Sequence, residues 1–186
     1  MDNSLKPRLL LHCCCAPCAC YVITQLNKKY RVSLFFYNPN IEPFDEYEKR
    51  KGELLKILKS PSYSTEVDML DCEYDNAVFT NAVELLRDQP ERGARCDTCF
   101  GLRLDETARR AKSEKFDVFT TTLSVSPRKN AKLLNEIGYR ISDKYNVEYL
   151  EADFKKRDGY KYSIKLSSEL GLYRQNYCGC HSSISD

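Results

Sequence analysis

The sequence predicts an α/β fold: a doubly wound, mainly parallel sheet forming one domain over residues 1–186. Three observations predict it. Short apolar runs alternate with longer segments of helical period. The helical segments fall between the runs, as crossovers between parallel strands require. The length of 186 residues, 42% of them hydrophobic, gives one good core but not comfortably two.

Arg8 to His12 is a short apolar run that enters a turn-rich segment, which marks a buried strand. Pro17 suits the first turn of a helix, and residues 18–29 continue it with Val22, Ile23 and Leu26 on one face. Arg31 to Tyr37 is a second strand, closed by the turn Asn38-Pro39-Asn40. Pro43 opens a charged helix to about Lys59, striped by Leu54, Leu55 and Leu58. Ser64 to Leu70 is a weaker strand. A helix follows from Asn76 to about Arg87, then a polar loop, Asp88 to Arg95. Cys96 and Cys99 sit where that loop meets a helix over about Asp97 to Lys112. Asp117 to Leu123 is another strand. Ser126-Pro127 reads as the cap and first position of a helix to about Tyr145. Val147 to Leu150 is a short strand, and Tyr160 to Leu170 is a last helix ended by Gly171.

The formal net charge of +2 excludes a globally basic protein, so a nucleic-acid partner would have to meet a local patch. The opening residues, Met1 to Arg8, lack the pattern of a signal peptide, and no stretch reaches membrane-spanning length. A cytoplasmic protein with no membrane partner is expected. Thiols are kept reduced there, so clustered cysteines point to metal or redox chemistry before structural disulfides.

The chain holds 10 cysteines, five of them between Cys13 and Cys20. Two pairs follow downstream, Cys96-x-x-Cys99 and Cys178-Gly-Cys180, and Cys72 stands apart. Ligands in α/β sheets bind outside the carboxyl ends of the strands, where the first group lies. If the Cys96 loop shares that rim, the groups meet there. Two thiolates at a helix start can face one metal and supply half of a four-sulfur site. The other half would come from Cys14 with Cys15, or from Cys15-Ala-Pro-Cys18, and spacing alone does not choose. A zinc ribbon also uses two Cys-x-x-Cys pairs, but on small knuckles; on a sheet rim an iron–sulfur cluster is the better expectation.

Cys178-Gly-Cys180 permits a small strained disulfide ring, the labile and redox-active kind. Asp97 is either an ordinary helix N-terminal acid or an oxygen ligand to an additional metal, or a proton donor. His12 reads as a satisfied strand-end histidine, and Cys13, Cys20 and Cys72 as buried small residues. A phosphate-cradling loop after the first strand would need glycines. That turn holds Cys, Ala and Pro instead, which argues against nucleotide hydrolysis. Basic and aromatic residues mix over 154–162 (Lys155, Lys156, Arg157) and 173–177 (Arg174). With Arg128 and Lys129, and with Arg92 and Arg95 flanking the cysteine loop, they suit phosphate contact and base stacking on RNA.

Together, His12-x-Cys14-Cys15-Ala16-Pro17-Cys18, Tyr37-Asn38-Pro39-Asn40-Ile41, Arg95-Cys96-x-x-Cys99, Thr121-Thr122-Leu123-x-x-Ser126-Pro127, the 153–160 stretch and Leu172 to Cys180 resemble the QueH-type epoxyqueuosine reductases over nearly the whole chain. The resemblance implies an adenine-nucleotide α-hydrolase-like fold without its phosphate loop. It implies removal of the epoxide oxygen from epoxyqueuosine in a tRNA anticodon loop, without cobalamin and with an electron donor it does not identify. It places a 4Fe–4S cluster on Cys14, Cys15, Cys96 and Cys99, and a redox pair at Cys178 and Cys180. Asp97 and Cys18 become candidate ligands of an additional iron. The competing expectations are a zinc-stabilised tRNA-binding module and a tRNA sulfur-transfer enzyme on a related fold, the latter disfavoured by the glycine-poor turn.

Overall fold

The computed structural model describes residues 6–61, 63 and 67–183. Its sheet has five parallel strands: β1 (Arg8–His12), β2 (Arg31–Phe35), β3 (Val67–Leu70), β4 (Val118–Thr121) and β5 (Glu148–Tyr149). Their order is β3-β2-β1-β4-β5, with Leu10 opposite both Ser33 and Phe119. The helices are α1 (Ala16–Leu26), α2 (Phe44–Lys59), α3 (Asn76–Ala82), α4 (Ala94–Ser113), α5 (Ala131–Tyr145) and α6 (Gly159–Glu169).

β1 is central, and both of its faces are covered, which is why it reads as an unbroken apolar run. Leu9 and Leu11 pack with Val22, Ile23 and Leu54 of α1 and α2, and α6 covers α1. Leu10 turns to the opposite face, among Leu104 and Ala108 of α4 and Leu134 and Ile137 of α5. The chain builds outward to β2 and β3, then returns to the other side of β1 with β4. The carboxyl ends of β1 and β4 therefore flank the point where the strand order reverses, and a crevice opens there in such sheets.

Several boundaries differ from those expected. α4 begins at Ala94, capped by Gly93, so Cys96 and Cys99 lie inside its first turns and not in a loop before it. The Asn76 helix stops at Ala82, and Glu84–Leu86 is a separate 3-10 turn. β4 ends at Thr121 because the Thr121 hydroxyl accepts from the Leu123 N–H at 3.1 Å, starting the 3-10 turn Thr122–Val125. Ser126-Pro127 follows that turn and does not begin the next helix. Asn130 does, accepting from the Lys132 and Leu133 N–H groups at 3.0 and 3.3 Å. Of the weaker strand, 67–70 is observed, and Ser64 to Glu66 lie outside the described residues. α6 ends as expected, with Gly171 in the left-handed region at φ 60°.

Gly138 lets α5 lie on the ring of Tyr149: a Cβ there would come within 2.4 Å of it. The ring is fixed by Phe119, 5.2 Å away between centroids, and by the bond from its hydroxyl to Asn135 Oδ1 at 3.1 Å. Gly138→Ala is expected to lower stability by about 1–3 kcal/mol, read as a lower Tm.

Candidate metal and redox site

Past His12 the backbone bends at the switch point. The His12 ring is buried, with Nδ1 2.8 Å from Thr121 Oγ1 and Nε2 3.1 Å from the Tyr37 carbonyl. Burial holds its pKa down, to about 3, so it is a neutral, satisfied histidine as expected. Cys13 and Cys20 are fully buried, whereas Cys72 is half-buried, its thiol donating to the Phe36 carbonyl at 3.3 Å.

Cys14, Cys15 and Cys18 form the first group. The Cys14 N–H is held by Thr122 Oγ1 at 3.2 Å, and Cys15 is the extended N-cap of α1. Their three sulfurs lie within 4.8 Å of one another, those of Cys14 and Cys15 3.7 Å apart. Hydrogen bonds from Cys15 and Cys18 hold the Cys14 thiol below its ordinary range, helped by Lys129. The same bond to Cys14 pushes Cys15 up to about 12, and Cys18 also rises.

The second group lies on α4. Cys96, Cys99 and Arg103, at helical spacings of three and four, share one face. Burial pushes Cys99 up to about 11 and raises Cys96, which accepts from the Arg92 N–H at 3.2 Å. Arg95 is buried and ties the preceding loop, donating to the Arg87 and Gln89 carbonyls at 2.8 and 2.6 Å.

The third group is Cys178 and Cys180. All 10 cysteines are unpaired thiols in the structure. Arg50, 2% exposed, reaches from α2 and donates to the carbonyls of Cys178 at 3.0 Å and Tyr177 at 3.3 Å. Its Nε pairs with Glu46 at 2.7 Å. The Glu42 N–H donates to the Gly179 carbonyl at 2.9 Å, and the Tyr177 hydroxyl to the Glu42 carbonyl. Gly179 has φ 141°, and a Cβ there would stand 2.9 Å from Asn40 Nδ2, so glycine is required between the two cysteines.

The three groups line one cavity of about 480 Å³, within the roughly 300–1,000 Å³ typical of ligand sites. Seven cysteines take part: Cys14, Cys15, Cys18, Cys96, Cys99, Cys178 and Cys180. Asp97, Arg128, Lys129 and Arg174 line it too. Lys155, Lys156 and Arg157 do not. Lys155 and Lys156 face Asp153, at 2.8 and 3.9 Å, and Arg157 is an exposed turn residue at φ 52°.

Residues 9–186 match the family described as Epoxyqueuosine reductase QueH. Proteins of that name are 38% identical in Thermotoga maritima, over 92% of this chain and 88% of that one, and 37% identical in Streptococcus pyogenes, over 96% and 71%. The chain belongs to the QueH epoxyqueuosine reductase family. It is an oxidoreductase by that membership, as the sequence motifs imply. A solved structure described as a predicted subunit of a tRNA methyltransferase from Methanocaldococcus jannaschii superposes with a TM-score of 0.52 over 89% of this chain and 75% of that one. At 15% identity it shows the fold alone, a parallel α/β sheet of the class expected for a QueH chain. No described helix is long and apolar enough to cross a membrane.

Sequence reasoning missed two residues of this QueH site. Arg103 carries a signal, since it falls one helical turn after Cys99. Arg50 carries only the Glu46 spacing of four, the usual sign of a surface pair, and its bonds to the tail arise from tertiary contact.

Proposed function

We propose that the chain removes the epoxide oxygen of epoxyqueuosine in the tRNA anticodon loop, without cobalamin, leaving the cyclopentene. The observation that carries this reading is the convergence of seven cysteines from three remote stretches on one cavity, in a chain of this family. The donors are soft sulfur ligands, which bind metal as thiolates, beside the buried Arg103 cation, a setting that suits a 4Fe–4S cluster on Cys14, Cys15, Cys96 and Cys99. Cys18 and Asp97 are the groups left to hold an additional iron. Bound there, the metal centre would supply single electrons and a Lewis acid for the epoxide oxygen.

The chain's own residues account for the rest. Conversion of an epoxide to an alkene and water takes two electrons and two protons. Oxidation of the Cys178 and Cys180 thiols to a disulfide releases that number of each, and an external donor then restores the dithiol. Arg50 and Gly179 hold the pair's backbone at the cavity wall. Arg128, Lys129 and Arg174 offer phosphate contacts at the cavity, and Tyr160 and Tyr177 offer ring faces to an unstacked base. Lys155, Lys156 and Arg157 extend this basic surface away from it. Free thiols of this kind persist in the reducing cytoplasm.

The test is an anaerobic assay of the reconstituted protein on epoxyqueuosine-containing tRNA with a chemical reductant. Nucleoside mass analysis should show loss of one oxygen; unchanged nucleoside under full reduction would end this reading. A second reading rests on the tight Cys14, Cys15, Cys18 trio. Thiolates on one tetrahedral ion at about 2.3 Å stand roughly 3.8 Å apart, close to the 3.7 Å observed for Cys14 and Cys15. Stoichiometric zinc without sulfide would support such a zinc-stabilised tRNA-binding module. Cys96→Ser and Cys99→Ser are each expected to lower iron and sulfide content to less than about half of wild type, by metal and sulfide analysis.

A further inference from the structure

Arg103 is 1% exposed, and its charge persists because guanidinium does not deprotonate in proteins. Its Nε donates to the Cys99 carbonyl at 3.1 Å and its Nη1 to Asn38 Oδ1 at 3.4 Å. Nη2 has no partner. Among the described residues no carboxylate forms an ion pair with it. It lines the cavity together with Cys14, Cys99, Cys178 and Cys180, with Lys129 as a second cation there. A buried cation left uncompensated is strongly destabilising, so anionic sulfur has to supply the missing partner.

We propose that Arg103 is the positioning counter-cation of the sulfur centre, favouring its more negative, reduced state and leaving the metal-free fold with an unpaired buried charge. This deepens the reductase reading and rests on it for the redox consequence. A nearby fixed cation stabilises added negative charge, so its removal makes the centre harder to reduce. Carbonyl and amide bonds alone would not do this.

The experiment compares wild type, Arg103→Lys and Arg103→Gln. Potentiometric titration of the reconstituted, anaerobic proteins, followed by electron paramagnetic resonance, reads the midpoint. Arg103→Gln should shift it to more negative values, lowering the reduced-to-oxidised ratio at fixed potential on the order of tenfold. Arg103→Lys should restore most of the shift. An unchanged midpoint in Arg103→Gln, or an equal shift in Arg103→Lys, would overturn the proposal. Thermal melts of the metal-free proteins give a second reading that needs no cluster. Metal-free Arg103→Gln should melt at or above metal-free wild type, since it removes an unpaired charge. A lower melting temperature would show a bracing residue and overturn the proposal even where the variant takes up no iron. Should wild type hold zinc and no sulfide, the reductase centre fails, while the melts still decide the role of Arg103.

Discussion

Cys178→Ser and Cys180→Ser are each expected to reduce turnover of epoxyqueuosine-bearing tRNA on the order of 10³-fold or more, with the brown iron–sulfur absorbance retained. Serine matches cysteine in shape closely enough to keep the Cys178–Cys180 segment in place, since its placement depends on backbone groups. The Cys178 carbonyl accepts from Arg50 at 3.0 Å, the Gly179 carbonyl from the Glu42 N–H at 2.9 Å, and the Cys180 carbonyl from the Ser183 hydroxyl at 2.7 Å. None of these bonds uses a sulfur. The substitution therefore removes the ability to form a disulfide and little else. The check is paired: an anaerobic absorption spectrum and a single-turnover assay on the same preparation. Loss of the absorbance would make the two cysteines ligands, and wild-type turnover would leave the dithiol without a role.

Most of the framework was legible because the parallel sheet buries both faces of its strands. Leu9, Leu10 and Leu11 read as a buried strand from composition alone, and they sit at the centre of the sheet, each with no exposure. The rim placement of the first cysteine group followed from the same rule. The boundary of α4 did not follow, because its cap is Gly93, which offers no side-chain oxygen to recognise. Ser126-Pro127 read as the helix start, but Thr121 had already drawn the chain into a 3-10 turn by bonding the Leu123 N–H. Side-chain capture of local backbone is a tertiary matter here, since Thr121 Oγ1 is fixed at the same time by His12. In the site, the cysteines announced themselves by their rarity. Arg50 did not, because a buried guanidinium looks in sequence like any other charged helix residue.

Arg50 shows how much of the site depends on such a residue. Arg50→Met is expected to lower stability by about 3–5 kcal/mol, the usual effect of breaking one side of a buried ion pair. The Glu46 carboxylate, 11% exposed, would lose its partner at 2.7 Å, and the Tyr177 and Cys178 carbonyls would lose their donor. Arg50→Lys is expected to recover little, since one ammonium cannot direct separate N–H groups at Glu46 and at two carbonyls. Urea denaturation with a fixed m-value reads the stability. Glu46→Gln then separates the two contributions. It removes the negative charge but keeps an oxygen for Arg50 Nε and both tail bonds, so it should cost stability while turnover at low temperature stays within about twofold of wild type. Arg50→Met should lose turnover as well, because Cys178 is then no longer held at the cavity wall. Equal turnover in the two variants, measured where both are folded, would mean that Arg50 stabilises the fold without placing the dithiol.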